Sequence, residues 1–208
     1  MPEASRRAVM GVLTDIDDTL TTEGHLTAEA YAALARLKAA GKIVVPVTGR
    51  PAGWCDHIAR MWPVDAVVGE NGAFYMRYDA AKRKLIRRFV ASEAERDAQR
   101  GRIEALARTI VAAVPGAALA SDQHYRETDL AIDYCEDVPP LPREAVERIV
   151  ALMEADGMTA KVSSIHVNGW YGGYDKLSMT RILFDEVHRI DLDRQRAAFV
   201  FAGDSPND

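Results

Sequence analysis

The sequence predicts an α/β fold: a Rossmann-like, doubly wound parallel sheet with a smaller α+β unit inserted into it. Three observations carry this expectation. Over the first third, short apolar runs of strand length alternate with segments of helical periodicity. The middle of the chain changes to long helices between short strands. Near residue 173 the alternation resumes with one more helix and one more apolar strand.

The elements follow in order. Ala8 to Leu13 is an apolar run that reads as a buried strand, and an acidic loop follows it. Thr27 is placed to cap a helix to about Ala40, with Ala30, Leu34 and Leu37 at helical spacing and Gly41 ending it. The β-branched run Ile43 to Val47 predicts a second buried strand, ending at Thr48-Gly49-Arg50. Pro51 suits the first turn of a helix to about Met61. Asp65 to Val68 predicts a third strand, which turns at Asn71-Gly72 and returns over Ala73 to Tyr78. This places a core domain over residues 1–80 and 173–208, and an inserted domain over 81–172. Within the insertion, strands are expected over Lys84 to Val90, near Ala117 to Ser121, over Ala131 to Tyr134, Thr159 to Ser163 and Ile165 to Val167. Helices are expected from Glu93 to about Val114 and from Pro142 to Asp156, with Gly169, Gly172 and Gly173 as a hinge. Asp175 then caps a helix from Lys176 to about His188, with Met179, Ile182, Leu183 and Val187 on one face. Ala197 to Ala202 is the last strand. A doubly wound sheet needs a crossover helix after it, so a further C-terminal segment is expected beyond Asp208, absent from the sequence or disordered.

Composition narrows the function. The chain has 208 residues, 48% hydrophobic and 27% charged, with a formal net charge of −5. That balance lacks the basic surplus of a general nucleic-acid binder, and the cluster Lys82, Arg83, Lys84, Arg87 and Arg88 reads as a solvated face. Cys55 and Cys135 form neither a Cys-x-x-Cys pair nor a zinc spacing, and isolated thiols suit a reducing cytoplasm. No stretch approaches the length of a membrane span, and the apolar run after Arg6-Arg7 is too short for a signal peptide. A cytoplasmic protein is expected. No pattern bears on its oligomeric state.

The chemistry lies where strands end. Asp15 and Asp17 stand two residues apart where the first strand leaves the core, and open α/β sheets bind ligands at the carboxyl ends of their strands. Two acids so placed can bind a divalent cation, attack an electrophile and move a proton. Three further clusters lie at strand ends or a helix start: Thr48-Gly49-Arg50, Lys176, and Gly203-Asp204-Ser205-Pro206-Asn207-Asp208. Each alone has a plainer reading as an acidic turn, a loop or a solvated lysine. A lysine at a helix start is usually solvated, and the helix macrodipole disfavours it there.

In this order, the four clusters resemble the motifs of the haloacid dehalogenase superfamily of phosphohydrolases. The acid pair matches the first motif, with Asp18 where a glycine is common. Val47-Thr48-Gly49-Arg50 is similar to the second, Lys176 to the third and the Gly203 to Asp208 loop to the fourth. The position of the insertion, and the turn Gly69-Glu70-Asn71-Gly72-Ala73, resemble the subgroup (IIB-like) with a large α/β cap, which includes sugar-phosphate phosphatases and phosphomannomutases.

The resemblance implies roles. Asp15 is the expected nucleophile, forming an aspartyl-phosphate, and Asp17 the expected proton donor to the leaving oxygen and activator of water. Mg2+ is the implied cofactor, held by Asp15, the carbonyl of Asp17 and Asp204. Asp208 supports the metal side and Asn207 the substrate side. Thr48 and the Gly49 amide are expected to bind phosphoryl oxygens, and Lys176 to neutralise charge. Arg50 contacts substrate or makes a surface ion pair. His124, Tyr125, Arg126, His166, Asn168 and Trp170 are candidate contacts to the leaving group, as are Tyr171 and Tyr174, although packing is the plainer reading for the aromatic side chains. The cap is expected to close over the substrate and exclude water.

The implied function is a Mg2+-dependent phosphatase of a small phosphorylated metabolite, most simply a sugar phosphate. Two alternatives stand beside it: a phosphomutase of the phosphomannomutase type, and a non-catalytic phosphosugar-binding module. A P-loop kinase or ATPase is excluded, because no Gly-x-x-x-x-Gly-Lys-Ser/Thr run occurs.

Overall fold

The computed structural model of the chain describes residues 3–204. Along it run helix α1 (Glu3–Ala8), strand β1 (Gly11–Thr14), the small hairpin β2 (Thr21–Thr22) and β3 (His25–Leu26), and helix α2 (Ala28–Ala39). Next come β4 (Ile43–Pro46), α3 (Ala52–Met61), β5 (Val67–Gly69), β6 (Phe74–Asp79) and β7 (Lys84–Phe89). Then follow α4 (Glu93–Ala113), β8 (Ala118–Leu119), β9 (Asp129–Asp133), α5 (Arg143–Ala155), β10 (Thr159–Val162) and β11 (His166–Trp170). The last elements are α6 (Lys176–Leu183), α7 (Leu192–Gln195) and β12 (Phe199–Ala202). The chain forms two compact units. One runs to Val90 and resumes at Tyr174; the other is Ala91–Gly173.

The first unit is built on a parallel sheet of order β12-β1-β4. Thr14 at the end of β1 pairs with Ala202 on one side and Pro46 on the other, so neighbouring strands end level. A parallel bridge between Val47 and Val68 carries the sheet on to β5. Burial explains why these runs are strands: Val44, Val45, Val67 and Val68 are fully buried, which suits β-branched side chains covered on both faces. Helix α2 begins where Thr27 accepts from Ala30 N, as its sequence predicts. Helix α3 turns Cys55, Ile58 and Ala59 inward, at the i, i+3, i+4 spacing of one face. Met179, Leu183 and Phe184 pack with Leu13, Val45 and Val68 in the core.

Some expectations need correction. The run Ala8 to Leu13 is not one strand: Ala8 closes α1, and β1 starts at Gly11. Alanine is apolar but also the best helix former, so hydropathy alone misplaced it. Strand β7 pairs along its length with β6, so it lies in the first unit. Strand β11 extends through Gly169 and Trp170. Gly169 is a packing position and not a hinge, because a Cβ there would lie 2.7 Å from Met153 Sδ. The helix from Lys176 is α-helical only to Leu183; a π-helical turn (Phe184–His188) follows and ends at Arg189 with φ 57°.

The second unit is an antiparallel sheet of order β10-β11-β9-β8, with α4 and α5 supplying Ile103, Leu106, Ile110, Ile149 and Met153 against Leu130, Ile132 and Val167. Helix α4 opens with a capping box between Ser92 and Glu95. Among the described residues, no helix is long and apolar enough to cross a membrane.

His188 gives a pH prediction. Burial lowers its pKa below 6.5, opposed by Asp65, which raises it, and helped by the smaller effects of Lys38 and Arg77, which lower it. Its Nε2 is buried with no hydrogen-bond partner among the described residues. The unfolded chain therefore takes up the proton more readily than the folded one. Stability from this group is full above 6.5 and is lost as pH falls through that value. Urea midpoints should drop between about pH 7.5 and about pH 5, and His188→Leu should make that drop smaller. An identical drop in the variant would assign it to other groups.

Candidate active site

The site forms where β1, β4 and β12 end together. Asp15 follows β1 directly, and its amide donates to the carbonyl of Ala202 at 2.8 Å, which pins it between β1 and β12. Lys176 Nζ donates to Asp15 Oδ1 at 2.9 Å, and both side chains are nearly buried, 11% and 8% exposed. Lys176 is the first residue of α6, whose start is fixed by Asp175: Ser178 N donates to its carboxylate at 2.7 Å. A buried cation at a helix N-terminus runs against the macrodipole, and its ion pair with Asp15 offsets that cost.

After Asp15 the chain turns sharply. The carbonyl of Ile16 accepts from the amides of Thr19, Leu20 and Thr21. Asp18 sits in the left-handed region with φ 56°, which is why a glycine suits this position. Asp17 pairs with Arg50. Arg50 Nε lies 3.0 Å from both carboxylate oxygens and Nη2 2.8 Å from Oδ1. Of the two expectations for Arg50, substrate contact or a surface ion pair, an ion pair is formed but not at the surface, since the Arg50 side chain is only 10% exposed. Its guanidinium also lies 4.5 Å from the ring centre of Trp54, one helical turn on and half-exposed.

Thr48 and Gly49 occupy the loop after β4. Thr48 is fully buried, and its hydroxyl accepts from Arg50 N at 3.0 Å. Asp204 follows β12, and Thr19 Oγ1 donates to its carboxylate at 3.4 Å. Asn207 and Asp208 lie outside the described residues. The structure thus brings Asp15 to Lys176 and Asp17 to Arg50, each side chain held by a named partner.

Donor chemistry bears on a metal. Among the described residues, no three His, Cys, Asp or Glu side chains are grouped to hold one. Asp17 is engaged by Arg50, which leaves Asp15 and Asp204 as the side-chain donors at the ends of adjacent strands. With main-chain carbonyl oxygen, that donor set is all oxygen and fits a hard cation such as Mg2+.

One residue beside the site went unnoticed in the sequence: Trp54, whose usable signal is its place four residues after Arg50 at a helix start. Glu70 was marked only as part of a turn; the structure shows it fully buried, its carboxylate accepting from Ala52 N at 2.9 Å.

Residues 12–99 match the model of the haloacid dehalogenase-like hydrolases. The match covers less than half of the chain, and over that stretch the chain is similar to this family. The chain has no match among curated proteins by sequence. Its fold is similar to that of a Thermoplasma acidophilum protein (TM-score 0.71, 17% identity, covering 96% of this chain and 79% of that one). It also resembles a Bacteroides thetaiotaomicron protein described among the phosphatases of the haloalkanoate (HAD) enzyme superfamily (TM-score 0.58, 20% identity, 100% and 81% coverage). A third likeness is to a HAD subclass IIB sugar phosphatase (TM-score 0.62, 13% identity, 96% and 82% coverage). At these identities the likeness speaks for the fold.

Most of the side chains named as candidate contacts to a leaving group lie in the second unit, where several are buried or paired. Arg126, its guanidinium 1% exposed, pairs with Asp122 at 3.2 Å and Asp129 at 3.0 Å. Asn168 Nδ2 donates to Asp129 at 3.4 Å. Burial pushes the Asp129 carboxyl above the ordinary carboxylate range, against the pull of Arg126. His166 Nε2 lies 2.9 Å from Glu136. Trp170 and Tyr171 are buried in this unit, and Tyr174 is buried in the first. Tyr125 is half-exposed, with its ring beside that of His124.

Proposed function

We propose that this protein is a Mg2+-dependent phosphatase that hydrolyses a small phosphorylated metabolite of the sugar-phosphate class through an aspartyl-phosphate on Asp15. The observation that carries this reading is the Asp15–Lys176 pair, 2.9 Å apart and nearly buried at the end of a parallel strand, with Asp17 two residues on. A carboxylate in line with a bound phosphoryl group is a nucleophile, and a cation against it offsets the repulsion between two anions. The family match and the likeness to a sugar phosphatase support the substrate class.

In this reading Asp17 donates the proton to the leaving oxygen and then activates water, which requires its carboxyl to leave Arg50 during turnover. Arg50, so released, contacts substrate. Thr48 and the Gly49 amide bind phosphoryl oxygens. Asp15, Asp204 and the Asp17 carbonyl would hold Mg2+, which when bound supplies positive charge to the phosphoryl oxygens, and Asp208 and Asn207 would support that site. The unit Ala91–Gly173 is the specificity cap. The chain is cytoplasmic and takes no nucleic acid, in keeping with its net charge of −5.

The test is a screen of phosphorylated metabolites with Mg2+, reading inorganic phosphate, with isomer interconversion followed in parallel. Phosphate release that stops on metal chelation is expected. Interconversion without release would favour the mutase, and neither activity over a broad panel would favour a binding module.

A further inference from the structure

The turn Glu70–Gly72 lies between two parts of the site. It is strained. Glu70 and Asn71 have φ 42° and 56°, values that bulky residues avoid, and Gly72 has φ 102°. It is also buried: Glu70 is fully so, and Asn71 is 3% exposed. An ordinary hairpin between β5 and β6 needs no buried carboxylate and no strained acid. Strain and buried charge of this kind persist only where the surroundings hold them, and they cluster at functional sites.

The contacts show what the turn holds. On one side is the loop Thr48 to Ala52. Asn71 N donates to the Thr48 carbonyl at 3.2 Å, and Glu70 N to the Arg50 carbonyl at 3.1 Å. The Glu70 carboxylate accepts from Ala52 N at 2.9 Å. The Asn71 amide lies against Gly49, where a Cβ would come within 3.1 Å of Oδ1. On the other side is the start of α6. A Cβ on Gly72 would lie 2.0 Å from the Asp175 carbonyl oxygen and 2.8 Å from Lys176 N. One short turn therefore abuts both Gly49 and Lys176.

We propose that Glu70 and Asn71 are positioning residues: their turn sets the separation between the Thr48-Gly49 loop and Lys176, and so the pocket for the phosphoryl group. The catalytic consequence rests on the phosphatase reading; the mechanical one does not. A phosphoryl group needs its oxygen donors and its cation in place together, and small misplacements of such groups are costly.

Asn71→Gly tests this, because glycine adopts a positive φ freely and the fold is kept while the side chain on Gly49 is lost. Its Tm should stay within about 4 °C of wild type. Hydrogen exchange should quicken in both segments, 48–52 and 175–183. On an ester that the wild type hydrolyses, kcat should fall about 100-fold, by a larger factor than KM changes. Glu70→Gln keeps an acceptor for Ala52 N and should recover most of the kcat that Glu70→Ala loses. If Glu70→Ala does not fold, the Asn71→Gly comparison decides. Unchanged exchange in either segment, or wild-type kcat in Asn71→Gly, would overturn the proposal. A wild type that releases phosphate from no ester sinks the phosphatase reading alone, and the exchange experiment then decides whether the turn holds both segments.

Discussion

Asp15→Asn is expected to remain folded and to release phosphate at least about ten-thousand-fold more slowly than wild type. The substitution keeps the shape of the side chain and an oxygen that can accept from Lys176 Nζ, now 2.9 Å away. It leaves the amide of residue 15 bonded to Ala202. What it removes is the nucleophile, since a carboxamide does not form an acyl-phosphate under these conditions. Lys176 loses its charge partner where its side chain is 11% exposed, so a lower Tm with an unchanged circular dichroism spectrum is also expected. Phosphate release at the wild-type rate would remove Asp15 from the chemistry.

Lys176→Ala should lower kcat by about 100- to 1,000-fold, with the secondary structure retained. Its position argues for a functional cause. A lysine at the first residue of a helix is unfavourable for the helix, and alanine there is a better helix former. Against that gain, the Asp15 carboxylate, 8% exposed, would lose the cation beside it. The phosphoryl group would then meet an uncompensated anion. Steady-state kinetics together with circular dichroism separate the two effects. A variant that kept full kcat would show that Lys176 serves the fold alone.

The parallel core was legible because its strands are β-branched runs that end in chemically marked loops. Ile43 to Pro46 and Val67 to Gly69 are buried on both faces, and such strands carry a strong local signal. The Asp15–Lys176 pair was legible only through resemblance, since 161 residues separate its members and no local pattern joins them. Three features were not legible. Ala8 satisfied an apolar run and a helix end equally well. The grip of Arg50 on Asp17 joins residues 33 apart in sequence with no local pattern between them. Glu70 looks like an exposed loop acid until the fold buries it against Ala52.

The central claim is a covalent phosphoryl group on Asp15. The direct measurement is rapid acid quench of the protein turning over a phosphate ester with Mg2+, followed by mass-spectrometric localisation of any acid-stable phosphoryl adduct. The account predicts an adduct on Asp15, at a higher level in Asp17→Asn on an ester whose leaving group needs no proton, where only the hydrolytic step lacks Asp17. Steady phosphate release with the adduct on another residue, or with none in wild type and in Asp17→Asn alike, would contradict it.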